Sequence, residues 1–525
     1  MPGAFVRLIR APGLETVAVL AVAAMAAAAV LIATAPHGPR VSTDSVFYLS
    51  TSDNLRSGHG LLSFKGTPLT TLPPGFPVVN AAVGEVAGES LLAARLLNSL
   101  CLGFIVIAGW MLLRRHVGSK ALRLAGVVGL AIAPTLFVIS SAVWSEPLFV
   151  ALALATALGL EMALERPRQW RWVVVTGLLA GCSFSVRYSG TWLCASGAFV
   201  LLAATRRAMP RRERAQRAGL FLLVAGIVPV LVVLRNLQLT PGYLLGGHGK
   251  SMTSLGQNLS DAAGGISRWF IPDVPAGALR AEFLAALLAA FGVWLVGRRR
   301  LPRPRGRGQD AGRSTDGPHR PPVWPLGVLA FGYVAFLLAS ASTAYLDPID
   351  PRLLSPAFVP AVVVALAGLD RLLSSSASRG ALVAVGAGVV VMWIGAQLHV
   401  TRVEFNRLRH NGSGFTARPW RGSALVSLLR GRGVSPTFSN FTDALFFLTS
   451  TRADCWPSRS VSVCRQSGPN LARVRAADPA YLAWFAEPGH ARPYVPAALV
   501  PRLRLIEVAS VSGGRLYRVR ATPAP

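Results

Sequence analysis

Long apolar stretches separated by short basic connections recur along the chain. They fall near 14–35, 91–113, 121–140, 145–164, 171–186, 189–205, 217–234, 279–297, 323–343, 353–370 and 380–400. A helix needs roughly 20 apolar residues to cross a bilayer, so the pattern predicts about eleven membrane-spanning helices. The stretch 171–205 carries Arg187-Tyr188 at its middle. A charge at mid-membrane is costly, so this stretch is read as two short helices that turn at Arg187. The N-terminal run is long and follows Arg7 and Arg10. It reads as a retained first span with a cytoplasmic N-terminus rather than a cleaved signal peptide.

The connections set the orientation. With the N-terminus inside, the segments 114–120, 166–171, 206–217, 298–320 and 371–379 are cytoplasmic, and they hold nearly all the dense arginine clusters. The opposite connections, including the outer loops 36–90 and 235–278, are poor in Lys and Arg for their length. This is the asymmetry that orients polytopic proteins in the plasma membrane. The Pro/Gly/Arg-rich segment 298–322 reads as a disordered cytoplasmic linker. The polar tail, 401–525, falls outside despite its arginines, because long translocated domains escape the charge rule. Its strand-like runs Ala498–Val508 and Arg515–Val519 predict a small extracytoplasmic α/β domain after a transmembrane domain over 1–400.

Composition agrees with this class. Of the 525 residues 52% are hydrophobic and 14% charged, against about 25% charged in soluble proteins. The net charge of +30 does not indicate a nucleic-acid partner, because the arginines are dispersed between spans rather than gathered in one patch. Cys101, Cys182 and Cys194 fall in apolar runs, where inert thiols are the default. Cys455 and Cys464 lie nine apart in the tail, and an extracytoplasmic tail leaves a disulfide between them open.

The orientation gathers polar residues on one side: Asp44, Glu146, Arg187, Arg235, His248, Asp347, Asp350 and Arg352, each at or near a span end. Asp44 and Tyr48 are four apart and share a helix face, although Asp44 with Ser42 and Thr43 also reads as a helix start. Leu72-Pro73-Pro74-Gly75-Phe76-Pro77 follows, then a short amphipathic stretch suited to lying along the interface.

An Asp after the first span, a Tyr four on, Pro-Pro-x-x-Pro and Ala94-Arg95-Leu96 together resemble the GT-C membrane glycosyltransferases. They look most like the bacterial group allied to protein O-mannosyltransferases and aminoarabinose transferases. Ser145-Glu146-Pro147-Leu148-Phe149, the Gly177–Tyr188 helix, Arg235-Asn236 with Gly242, Gly246 and Gly247, and Arg352-Leu353-Leu354-x-Pro356 are similar to further elements of that group, in the same order. The resemblance implies a GT-C-type, mainly α bundle. It implies a donor sugar on a polyprenyl phosphate and an envelope glycan, lipid or protein as acceptor, with Asp44 as base or orienting carboxylate. Members often have Asp-Glu where this chain has Asp44-Ser45, so one carboxylate that could hold a divalent cation or the acceptor is missing, and the cofactor stays open.

The chemistry suits these residue types. The acceptor hydroxyl needs a base. The departing phosphate needs positive charge, which the arginine fork matches well. Asp44 and Glu146 are therefore the candidate catalytic residues. Tyr48, Arg187, Tyr188, Arg235, His248 and Arg352 are candidates for substrate binding, beside the membrane lipids that surround the spans. A transporter or flippase of lipid-linked sugars is the alternative, but it should show repeated halves and polar residues at mid-membrane; the polar residues here cluster on one side. The orientation has a direct test: reporters fused after Arg300 and Thr401 should report opposite sides of the membrane, and the same side for both would overturn it.

Overall fold

The computed structural model describes residues 13–204, 209–240, 251, 253–271, 321–344, 346–375, 379–456, 479–486 and 503–521. The first helices are α1 (Leu14–Thr34), α2 (Thr43–Arg56), α3 (Gly75–Ala87) and α4 (Ser90–His116). They are followed by α5 (Lys120–Ala131), α6 (Pro134–Ser140), α7 (Glu146–Glu165), α8 (Arg171–Val186) and α9 (Thr191–Ala204). Then come α10 (Arg211–Leu239), α11 (Leu255–Phe270), α12 (Trp324–Thr343), α13 (Pro351–Ser375) and α14 (Arg379–Asn411). Helices occupy ten of the eleven expected span positions; the one expected at 279–297 lies outside the described residues, as does the expected linker up to residue 320. Among the described residues six helices are long and apolar enough to cross a membrane, or seven if α5 and α6, bent by 40° at their break, form one span. Pro134 opens α6, and a proline both ends the preceding helix and starts the next.

Two expectations shift. Helix α14 continues to Asn411, so the last helix runs about 11 residues past the predicted span end before the tail begins. The second outer loop is not all loop: Arg235 belongs to α10, and α11 follows within the same region. The turn at Arg187 is as expected. Helix α8 ends at Val186, Arg187 is extended, and a short 3-10 turn, Tyr188–Gly190, leads into α9.

One continuous apolar core joins α1, α4, α7, α12 and α13. Large apolar side chains such as Met25, Leu223, Leu231 and Met392 face outward, as a lipid-facing perimeter requires. At the base of α4 and α7, Glu161 is buried between Arg115 and His116, each at 2.6 Å. This pairing fixes the end of the bundle away from Asp44.

The tail holds α15 (Arg418–Arg421), α16 (Ala424–Arg432), β1 (Phe438–Ser439), α17 (Thr442–Thr449), β2 (Asp454–Cys455), β3 (Ala480–Phe485), β4 (Leu503–Val511) and β5 (Gly514–Ala521). Its sheet has the order β2-β1-β3-β5-β4, parallel through β2, β1 and β3 and antiparallel beyond. Alternation along β3 sends Leu482 and Trp484 to one small core and Ala483 and Phe485 to another that includes Leu425 and Leu445. The predicted strand Ala498–Val508 is described only from Leu503 and runs on to Val511. Cys455 is disulfide-bonded, and Cys464 lies outside the described residues.

The Pro-Pro-Gly-Phe-Pro run has a packing reason. A Cβ on Gly75 would fall 2.6–2.7 Å from the backbone of Ser185, so glycine lets the start of α3 press against the end of α8. Gly75→Ala is therefore expected to destabilise by about 1–3 kcal/mol, seen as a lowered unfolding midpoint in detergent. Gly226→Ala, which meets open space, is the control and should not lower it.

Candidate active site

The segment between α1 and α2 is built as a strand-like bridge. Arg40 pairs in parallel with Ala142, and Val41 pairs in parallel with Gly414. The Arg40 amide donates to Ser141 and its carbonyl accepts from Val143, both at 2.9 Å; the Val41 carbonyl accepts from Phe415 at 2.8 Å. Gly414 has φ +62°, and a Cβ there would lie 2.1 Å from the Val41 carbonyl oxygen, so the close approach needs glycine. Helix α2 then starts with a capping box between Ser42 and Ser45, which satisfies two orphan groups at once.

Asp44 sits in the first turn of α2. Its Oδ2 accepts from Nη2 of Arg352 at 2.8 Å. The Nε of the same guanidinium donates to Oε1 of Glu146 at 2.5 Å. Arg187 Nη1 also reaches Glu146 Oε1, at 2.8 Å, and contacts Ser145 Oγ at 3.3 Å. Tyr48 Oη donates to Ser145 Oγ at 3.1 Å. Four of the sequence candidates, Asp44, Glu146, Arg187 and Arg352, thus form one chain of alternating charge, with Tyr48 against it. They come from the starts of α2, α7 and α13 and the break after α8.

Burial separates the two carboxylates. Glu146 is 1% exposed and its Oε2 has no hydrogen-bond partner among the described residues, whereas the Asp44 side chain is 31% exposed. A buried carboxylate with two arginines is costly to leave unpaired, so Glu146 holds the guanidinia in place. Asp44 is the carboxylate open to an incoming molecule. Asp347, in the loop before α13, is exposed at the rim. Desolvation by the surrounding protein, and next the Asp44 carboxylate, push its carboxyl above its ordinary range. Burial and the Asp44 charge likewise raise the Tyr48 hydroxyl, which stays a neutral donor.

Tyr188 and Arg235 belong to a different cluster. Tyr188 Oη donates to the Thr70 carbonyl at 2.7 Å and accepts from Asn236 at 3.0 Å. Arg235 Nη1 donates to the Leu69 carbonyl at 2.9 Å and to Asn236 Oδ1 at 3.1 Å. Both hold the first outer loop against α10. They stand apart from the Asp44–Arg352–Glu146–Arg187 chain. His248 lies outside the described residues. Among the described residues no group of three or more His, Cys, Asp or Glu side chains converges as a metal ion would need.

Two site residues escaped the sequence reading. The Arg352 guanidinium lies over the Trp144 ring at 4.2 Å, and Arg40 lies over the same ring at 5.0 Å. Trp144 Nε1 donates to Ser42 Oγ at 2.8 Å. The indole thereby orients Arg352 by a cation–π contact while bonding to the helix cap beside Asp44. Its place directly before Ser145-Glu146 was the available signal. Arg40 had none beyond its closeness to Asp44.

A small apolar cavity lies near this cluster. Phe149 and Ala153 of α7, Trp192 and Leu193 of α9, Leu329 and Tyr333 of α12 and Pro356 and Pro360 of α13 line it. Phe149 and Pro356 lie about one helical turn from Glu146 and Arg352 respectively.

Comparison with known proteins follows the same lines. Residues 71–233 match the family described as dolichyl-phosphate-mannose-protein mannosyltransferase. The chain is similar to the structure of ArnT from Cupriavidus metallidurans bound to undecaprenyl phosphate, with a TM-score of 0.61 at 15% identity over 96% of this chain and 98% of that one. It is similar to the apo form of the same protein, with a TM-score of 0.59 at 15% identity over 94% and 96% of the two chains. No curated protein matches the sequence. The resemblance read from the motifs is borne out: the chain has the fold of the GT-C membrane glycosyltransferases, and its residues 71–233 carry the match to their dolichyl-phosphate-mannose-protein mannosyltransferase family.

Proposed function

We propose that this protein transfers a sugar from a polyprenyl-phosphate donor to an envelope acceptor on the outer face of the plasma membrane. The observation that carries the reading is the chain Asp44–Arg352–Glu146–Arg187. A polyprenyl-phosphate sugar has an apolar tail, one or two negative charges and an anomeric carbon. The outward-facing apolar helices suit the tail, and the two arginines suit the phosphate. Asp44, partly exposed and reached by one nitrogen of Arg352, suits the acceptor side. That the ArnT structure holds undecaprenyl phosphate supports the donor class.

In this mechanism the acceptor hydroxyl oxygen attacks the anomeric carbon and gives its proton to Asp44. The bond from the anomeric carbon to the phosphate oxygen breaks, and its electron pair leaves with the polyprenyl phosphate. Arg187 and Arg352 stabilise the charge that develops there. The single displacement inverts the anomeric configuration. Glu146 stays paired throughout and acts as a positioning residue. Tyr48, through Ser145, steadies the same turn. Trp144 holds the plane of Arg352. The tail, with its disulfide-bonded Cys455, is extracytoplasmic in this reading, since disulfides persist in oxidising compartments.

Two substitutions test the assignment in membranes of a deletion strain, which supply the native donor and acceptor. Asp44→Asn should abolish formation of the glycan or glycolipid that the strain lacks, a loss of roughly 10²-fold or more, with the unfolding midpoint kept. Wild-type activity in that variant would remove Asp44 from the mechanism. Arg352→Lys keeps the charge and loses the fork. It is expected to lower the rate by about 10²-fold and to weaken competition by added polyprenyl monophosphate.

A further inference from the structure

The first turn of α2 is held at three successive residues by three distant segments of the chain. Ser42 Oγ accepts from the indole of Trp144, before α7. Asp44 pairs with Arg352, at the start of α13. Between them, Thr43 Oγ1 donates to Asp443 Oδ2 at 2.5 Å, and Asp443 belongs to the tail. Successive side chains on a helix are about 100° apart around its axis. Thr43 therefore faces the tail while Asp44 faces Arg352, and a pull on one turns the other.

Asp443 is fixed from its own side. It lies in the first turn of α17 and is fully buried. Three residues before it, Asn440 exchanges two hydrogen bonds with the backbone of Phe485 on β3, at 2.8 and 2.9 Å, which ties the start of α17 to the sheet. Farther along α17, Phe446 packs on Phe64 with ring centroids 5.2 Å apart, and Phe64 packs on Phe47 of α2 at 5.0 Å. Helix α2 is thus met by the tail at its first turn and, through Phe64, one turn later. A carboxylate between the N-terminal turns of α2 and α17 is favoured by both helix dipoles.

We infer that the C-terminal tail belongs to the site, with Asp443 acting through Thr43 as a positioning residue that aims Asp44 at the acceptor. The inference rests on the reading of Asp44 as the proton acceptor. The contact sets where the carboxylate stands relative to Arg352 and the anomeric carbon, and a displacement of about 1 Å at such a point costs up to 10²-fold in rate. Without a docked tail the membrane helices would keep the arginines but would hold Asp44 loosely.

The test uses the full chain in deletion-strain membranes, reading the initial rate of the missing glycan or glycolipid and the unfolding midpoint of each purified variant. Thr43→Val removes the hydroxyl and keeps the shape; Thr43→Ser keeps the hydroxyl. Thr43→Val is expected to lower the rate by between about tenfold and 10²-fold at an unchanged midpoint, and Thr43→Ser to stay within about twofold of wild type. Asp443→Ala should lower the rate comparably, and adding Thr43→Val to it should cost nothing more, because the two residues act as one unit. A wild-type rate in Thr43→Val overturns the inference. So does an equal fall in Thr43→Val and Thr43→Ser, or losses that simply add in the double variant. If Asp443→Ala folds poorly, the Thr43 pair alone decides. Asp44→Asn run alongside separates the two levels: if it is active, the reading of Asp44 fails; if it is inactive while Thr43→Val is unimpaired, only the inference fails.

Discussion

The guanidinium of Arg352 is the joint on which the site depends. One of its nitrogens holds the buried Glu146, another holds the open Asp44, and its plane lies over Trp144. Lysine has no fork and could not make this set of contacts in fixed geometry. The joint forms because Glu146 is placed at the first turn of α7, next to Pro147, where a carboxylate is favoured by the helix dipole. Once buried there, it must be paired, and the arginines that begin α13 and follow α8 are the partners within reach.

The second constraint is the short bridge between α1 and α2. It lies between residues 141–143 on one side and 414–415 on the other. The chain that delivers Asp44 is thereby fixed by the membrane helices and by the tail together, and the close approach at Gly414 shows how little slack remains. In the next loop Tyr188, Arg235 and Asn236 have a similar role, pinning residues 69–70. These supports include backbone hydrogen bonds, yet Asp44 itself is left partly exposed.

The sequence alone carried the positions of ten of the helices, because a run of apolar residues long enough to span a bilayer is a local property. It also carried Asp44, Glu146, Arg187 and Arg352, since charged residues at span ends are few and their order matches a known arrangement. It did not show that Tyr188 and Arg235 form a second cluster. Both groups are polar residues at span ends, and which partners each one meets depends on loop backbone that only the fold brings near. Trp144 and Arg40 were hidden for the same reason: an aromatic or an arginine at a membrane boundary is common, and its stacking partner is far away along the chain.

What the sequence determined, then, was a helical membrane protein with charges at its span ends and the fold that they imply. What only the tertiary structure decided was the division of labour among those charges. Glu146 became a buried anchor and Asp44 the accessible carboxylate because burial is set by packing between helices distant in sequence. The link from Asp443 to Thr43 spans 400 positions. No periodicity or local motif encodes such a contact, and it exists only because the tail brings the first turn of α17 against the start of the helix that carries Asp44.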